Sequence, residues 1–352
     1  MLRPMVEHPA HLIPRPADID IDILREMYHS RGVTIAGIDP RLNANRVAQR
    51  LGVSRARVDA RLKEWARYGL LQRFDVWPNP SLFHRQGFTV DLRLADRFRK
   101  EEVFHRIGLI DGAVGGMDFV GEWITTQFVV PTESDGRRTT QLLRAISGIV
   151  EVGTPIPWTR LEPTRDLTRL DRKIVRVLRK YPTEPLSVIA RHVGVSTRTM
   201  TTRYGRLVDD LAVWFVPVLD FRALTQPVVT VNVELAVNAD PGAVSHSVRK
   251  AFPQSLELVR TAFGPALPEH VRVFFVLCPS AARLEELEGF IRGLPGVGAV
   301  EMLVMIRNFS FPETFDRLVP EDGRREGPEG STAPRFPVDL GPPGGGKVRV
   351  SV

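Results

Sequence analysis

Residues 51–62 (LGVSRARVDARL) and residues 193–204 (VGVSTRTMTTRY) repeat one pattern, with their glycines, Gly52 and Gly194, 142 positions apart. In each copy a Gly-Val-Ser turn joins a short apolar stretch to a longer amphipathic one. Glycine tolerates the left-handed backbone of a tight helix-to-helix turn because it has no Cβ. Ser54 and Ser196 then stand where an N-cap belongs, their hydroxyls ready to accept from an orphan amide of the next helix. Ala48 and Ala190, four residues before each glycine, let two helices cross closely. Val58, Leu62 and Trp65 recur at i, i+4 and i+7, as do Met200, Tyr204 and Leu207, so each longer helix has one face turned to a core.

The residues left outward are Arg55, Arg57, Arg61 and Lys63 in the first copy. In the second they are Thr197, Arg198, Thr201, Thr202, Arg203 and Arg206. With the caps Ser54 and Ser196, these are the candidate DNA-contacting residues. Arg pairs bidentately with guanine in the major groove, Thr reaches base edges, and both bind phosphate. A basic helix face on its own is ordinary solvated surface. Recurrence of the whole frame, with a β-prone segment after each copy (GLLQRFDVW and LAVWFVPVLDF), favours a winged helix-turn-helix.

The repeat reaches further in both directions. DIDIDILREM, with Ile23, Leu24 and Met27 on one face, and LDRKIVRVL, with Ile174, Val175 and Leu178, each predict a preceding helix. The connection that follows is nine residues longer in the first copy. Beyond the β-prone segments, the first copy reads as strand GFTVDLRLA, helix RKEEVFHRIGLI, strands GAVGGMDFV and WITTQFVVP, helix RRTTQLLRAI and strand VEVGTPIPW. The second reads VVTVNVELAV, AVSHSVRKAF, LELVRTAF, HVRVFFVLC, AARLEELEGFI and AVEMLVMI. That β-α-β-β-α-β order predicts a ferredoxin-like unit with helices on one face of an antiparallel sheet.

The expected fold class is therefore α+β, with two winged helix-turn-helix domains alternating with two ferredoxin-like βαββαβ domains. The boundaries read 18–85 and 161–226 for the helical domains, and 86–160 and 227–318 for the α+β domains. Residues 1–17 and 319–352, rich in Pro, Gly and charge, read as disordered tails.

Bulk composition sets the partner class. Hydrophobic residues make up 43% and charged residues 25%, a globular balance, and the net charge is +7. A basic surplus favours a polyanion. The sole cysteine, Cys278, leaves no disulfide framework and no multi-Cys zinc site. No apolar run approaches the ~18 residues that cross a bilayer, and MLRPMVEHPAHLIPRPA lacks the apolar core of a signal peptide. A soluble cytoplasmic protein with no membrane partner is expected.

LDRKIVRVL, IARHVGVS and SxxxMxxRYxxL (Ser196 to Leu207) resemble the amino-terminal domain of the Lrp/AsnC family of transcription regulators. SxxxVxxRLxxW (Ser54 to Trp65) and Tyr68-Gly69-Leu70-Leu71 are similar. The resemblance implies a regulator that binds double-stranded DNA, with a ferredoxin-like effector domain for dimerisation and an amino acid or related small metabolite as effector. Because the plan occurs twice over residues 18–318, it also implies an intrachain pseudo-dimer, open to further homo-oligomerisation. The family's Gly-x-x-Asp beside its ligand cleft is similar to Gly115-Gly116-Met117-Asp118, which makes Gly115 and Asp118 candidate ligand residues, the carboxylate receiving an ammonium group. The second copy reads TAFGPALPEH there and lacks the motif.

Siroheme decarboxylases resemble this chain in architecture and are the alternative. Their chemistry depends on a His-Asn-Tyr strand segment, which here reads VGGMDFVGEW without a histidine. The eight histidines are scattered, with no paired-carboxylate cluster, phosphate loop or nucleophile elbow. No catalytic residue, metal or cofactor is expected. A scaffold that keeps the fold without binding DNA is the third reading, disfavoured by the Arg and Thr of the second recognition helix.

Overall fold

A computed structural model of the chain describes residues 23, 47–49, 51–158, 165–253, 255–258, 270–278 and 280–319. In chain order the first half holds α1 (Arg55–Tyr68), β1 (Leu71–Pro78), β2 (Gln86–Leu94), α2 (Lys100–Gly108), β3 (Ala113–Phe119), β4 (Trp123–Val130), α3 (Glu133–Ala145), β5 (Ile149–Val152) and β6 (Ile156–Pro157). The second half holds α4 (Arg169–Lys180), α5 (Leu186–Val193), α6 (Thr197–Asp209), β7 (Val213–Leu219), β8 (Val228–Leu235) and α7 (Pro241–Ala251). It continues with β9 (Ser255–Leu258), β10 (Val271–Leu277), α8 (Ala281–Arg292), β11 (Val297–Ser310) and α9 (Glu313–Leu318). The architecture is α+β with antiparallel sheets.

Period-two burial builds the large sheet. Val229, Val231, Val233 and Leu235 of β8 turn to one face, where Val244 and Val248 of α7 and Leu287 and Ile291 of α8 cover them. In the first half Phe88, Val90, Leu92 and Leu94 of β2 do the same beneath Val103 and Ile107 of α2 and Leu143 of α3. The alternate residues line the opposite, inner faces. These meet where Val271 and Val273 of β10 pack against Met117 and Ile156.

The two α+β units are not separate sheets. Among the described residues they share one nine-stranded sheet of order β5-β2-β4-β3-β11-β8-β10-β9, with β6 against β2. The seam is β3 with β11, where Met117 faces Asn308 and Gly116 faces Phe309. Gly115 and Gly116 make this approach feasible. A Cβ at Gly115 would meet the Phe309 carbonyl oxygen, and one at Gly116 would meet the Thr125 carbonyl oxygen and the Phe309 ring.

The winged expectation needs correction. Among the described residues β1 and β7 form a two-stranded sheet with each other, so neither copy builds a hairpin wing of its own. Only one strand follows each recognition helix before a 3-10 turn (Pro80–Phe83 and Phe221–Ala223) redirects the chain. The free edge is satisfied by the other copy. Phe74 pairs with Pro217, and Asp75 with Val216. Under the 142-residue repeat Phe74 corresponds to Val216 and Asp75 to Pro217. Each residue therefore pairs with its neighbour's counterpart, the self-complementary register of a two-fold contact.

Three further differences are local. The expected strand VEVGTPIPW breaks into β5 and β6 around Gly153-Thr154-Pro155, where proline has no N–H for the ladder. Helix α9 follows β11 and seats Phe315, fully buried, with its ring centroid 5.3 Å from that of Trp77. Trp77 in turn stacks on Trp158, 6.3 Å away and 7° from parallel. Val319, the first residue of the expected carboxy-terminal tail, is buried. In the first helical domain Ile23, Val47 and Ala48 join the core around α1. Leu24, Met27, most of the long connection, residues 1–17 and residues 320–352 lie outside the described residues. Among those described, no helix is long and apolar enough to cross a membrane.

Candidate nucleic-acid interface

Helix α6 is fixed from its start. Gly194 takes φ 78°, and the Ser196 hydroxyl accepts from the Thr199 amide at 3.1 Å. Met200, Tyr204 and Leu207 are fully buried in the core that contains Ile174, Val175 and Leu178 of α4 and Ile189 of α5. That packing leaves Thr197, Arg198, Thr201, Thr202 and Arg206 exposed. The Thr201 hydroxyl donates to the Thr197 carbonyl at 2.9 Å.

Arg203 behaves differently. It is half-buried, and its Nη1 lies 3.5 Å from both carboxylate oxygens of Asp171. Asp171 is fully buried and also receives the Thr168 hydroxyl at 2.7 Å and Arg165 Nη1 at 2.9 Å. Arg165 spans on to Asp210 at 2.8 Å. Burial pushes the Asp171 carboxyl upward, but the Thr168 hydroxyl, Arg165 and the Thr168 amide together hold it below its usual value. The same contacts raise Arg165: hydrogen bonds to Asp171 and Asp210 outweigh its burial. Arg203 thus helps hold α6 on α4, a positioning role that its place on the outward list did not suggest.

Helix α1 repeats the geometry with different electrostatics. Gly52 takes φ 64°, and the Ser54 hydroxyl accepts from the Arg57 amide at 3.3 Å. Val58 and Trp65 are buried and Leu62 half-buried. Arg55, Arg57 and Lys63 are exposed, and Arg61 is half-buried. Arg55 Nε donates to Asp59 at 3.2 Å, and Arg61 bonds Glu64. Among the described residues Arg57, Lys63, Arg198 and Arg206 carry no intramolecular ion pair. Exposed i,i+4 pairs contribute only about 0.3–0.5 kcal/mol, so Arg55 is readily redirected to a phosphate. Thr199 is an exposed residue of the same turn that the sequence-based set omits; its hydroxyl lies 2.9 Å from that of Ser196.

The second candidate site falls elsewhere. Asp118 is buried, and Lys100 Nζ donates to its Oδ1 at 2.7 Å, to the Trp123 carbonyl at 3.2 Å and to the Phe119 carbonyl. Arg307 Nε stands 3.5 Å from Oδ2, and Arg307 also bonds Glu101. The ammonium expected from a ligand is supplied by the chain itself. Gly115 lies in the β3–β11 seam, where the missing side chain admits β11. Nothing in the sequence near Lys100 marks it as the partner of a residue eighteen positions on.

On the inner side of the sheet lies a small set of buried and half-buried polar groups. Thr125 donates to Asp91 at 2.7 Å, Trp158 Nε1 to Thr89 at 2.8 Å, and Asn232 to Glu301 at 3.3 Å. Thr230, at the place in β8 that Thr89 holds in β2, is fully buried, and its hydroxyl has no partner among the described residues. The described histidines, His84, His105, His192, His246 and His270, are all exposed. Among the described residues no group of three or more His, Cys, Asp or Glu is placed to hold a metal. Cys278 is buried, and burial pushes its thiol up to about 11, with Arg283 opposing.

No family model matches the chain, and no curated protein matches it. Among solved structures, it is similar to the siroheme decarboxylase NirDL in co-complex with an iron-uroporphyrin III analogue. The identity there is 14%, the match covers 84% of this chain and 95% of that one, and the TM-score is 0.46. An AsnC family transcriptional regulator from Agrobacterium tumefaciens is similar at 21% identity over 39% of this chain and 89% of its own, with TM-score 0.29. AsnC of E. coli is similar at 14% identity over 44% of this chain and 99% of its own, with TM-score 0.27. The chain is thus distantly similar in structure to siroheme decarboxylase NirDL over most of its length and to AsnC-type regulators over about two-fifths of it.

Proposed function

We propose that the chain is a sequence-specific regulator of transcription of the Lrp/AsnC type, binding double-stranded DNA through α1 and α6. One observation carries this reading: two serine-capped helices, each leading into one strand of a self-complementary pair, present outward cations that carry no ion pair among the described residues. A single polypeptide then offers what a two-fold dimer offers to paired half-sites. Of the outward residues of α1 and α6, Arg57, Lys63, Arg198 and Arg206 carry no ion pair among the described residues and can turn to phosphate or guanine. The Gly115–Asp118 region has no part in the proposal, because Lys100 already satisfies Asp118.

The test is a gel-shift titration with genomic fragments at several salt concentrations, comparing wild type with Arg198→Ala/Arg206→Ala. Each lost base-edge pair lowers affinity by ~1–3 kcal/mol, and each lost phosphate contact flattens the log–log salt slope by about 0.9. Both side chains are exposed, so melting stays unchanged. Wild-type affinity and slope in the double variant would overturn the assignment.

A second reading, an enzyme acting on a tetrapyrrole as NirDL is named to do, is favoured by the buried polar groups on the inner side of the large sheet. The Thr230 hydroxyl, without a partner among the described residues, is the clearest of them, since an unsatisfied buried hydroxyl is costly. Titration with an iron porphyrin discriminates: a saturable shift of the absorbance band supports this reading, and an unchanged spectrum removes it.

A further inference from the structure

The two copies place their cations at different helical positions. Under the 142-residue repeat Arg55, Ala56 and Arg57 align with Thr197, Arg198 and Thr199, the first three residues of each recognition helix. Arginine therefore stands first and third in α1 but second in α6. Neighbouring helix positions are turned by about 100°. The leading guanidinium of one helix thus points where the other presents a threonine or alanine. The next turn diverges too: Asp59 and Ala60 align with Thr201 and Thr202, and Glu64 with Arg206. In the outward turns only Arg61 and Arg203 keep their identity, and both are half-buried and ion-paired.

The backbone frame around these faces is nevertheless symmetric. Both helices are serine-capped, and each runs within three residues into its strand of the β1–β7 pair, whose register is self-complementary. From this symmetric frame with unlike faces we infer that the chain's DNA target is non-palindromic: two half-sites of different sequence, one read by α1 and the other by α6. The exposed cations Arg57 and Lys63 on one side and Arg198 and Arg206 on the other complement phosphate. The base contacts cannot match, because an Arg–guanine pair and a Thr contact demand different bases at each position. The inference rests on the DNA-binding reading above and adds the form of the site.

The experiment is selection of bound duplexes from a random pool by the full chain, run beside a transplant variant. The variant carries Arg55→Thr, Ala56→Arg, Arg57→Thr, Asp59→Thr, Ala60→Thr and Glu64→Arg, none of them at a buried position. Its melting curve is checked against wild type. The expected wild-type result is a bipartite motif with unlike halves, roughly one helical turn of DNA (~10 bp) apart. In the transplant the α1 half converts to an inverted copy of the α6 half. A palindromic wild-type motif, a single half-site, or a bipartite motif that the transplant leaves unchanged overturns the inference while DNA binding stands. No enrichment of any duplex overturns the DNA-binding reading and this inference with it.

Discussion

Lys100 Nζ sits 2.7 Å from Asp118 Oδ1, with both side chains buried where β3 joins the two halves of the sheet. The ion pair spans one copy only, but Arg307 of β11 reaches the same carboxylate from the other. A buried carboxylate depends on its cation, because neither alone is tolerated out of water. Lys100→Met should lower stability by about 3–5 kcal/mol, whereas Lys100→Met/Asp118→Leu should recover most of that loss. Urea midpoints that fall equally in both variants would show that the pair is not coupled.

The seam also predicts opposite outcomes at two glycines. A Cβ at Gly116 would collide with the Thr125 carbonyl oxygen and the Phe309 ring, whereas Gly205 in α6 has open space around it. Gly116→Ala is expected to destabilise by about 1–3 kcal/mol, since backbone must move. Gly205→Ala is expected to stabilise by about 0.5–1 kcal/mol, since alanine loses less chain entropy in a helix. Thermal melts of the two variants read the signs directly.

Acid should unlock the second helical domain. The folded-state pKa of Asp171 is below its unfolded value despite burial, so the stability it contributes is present above the ordinary Asp range near pH 4 and is lost as pH falls through the lower, folded value. Asp171→Asn removes the titrating group. Its unfolding free energy should be lower than wild type at pH 7 and converge toward wild type at low pH. Parallel stability curves down to pH 2 would contradict the assignment.

Cys278 offers a chemical readout of the second core. Its thiol is buried and held near 11, so few molecules carry the reactive thiolate at pH 8. Labelling with a disulfide reagent at pH 8 should be slow in the native protein and rapid in denaturant. Equal rates would mean that the β10 core opens freely.

The amino-acid sequence by itself determined the parts of this protein that depend on neighbours within a few residues. Gly52 and Gly194 do adopt positive φ, Ser54 and Ser196 do cap, and Met200, Tyr204 and Leu207 are buried. The alternation in VVTVNVEL assigns the faces of β8. In each case a side chain's size, polarity or missing Cβ acts on backbone within one or two turns. Only the tertiary structure decided what each open edge and charge would meet. Strand ladders are made of backbone N–H and C=O groups common to every residue, so nothing in LQRFDVWP names VWFVPVL rather than a hairpin wing as its partner. Gly115 was legible as the start of a Gly-x-x-Asp motif, but neither it nor Gly116 as the cleared path for β11. Asp118 was legible as a carboxylate awaiting an ammonium, yet Lys100 supplies it only because α2 begins beside the end of β3. Arg203 and Arg198 read alike on the helix face. Asp171, thirty-two residues before Arg203, separates them: α4 packs against one side of α6, so one guanidinium is held near a buried carboxylate and the other is left in water.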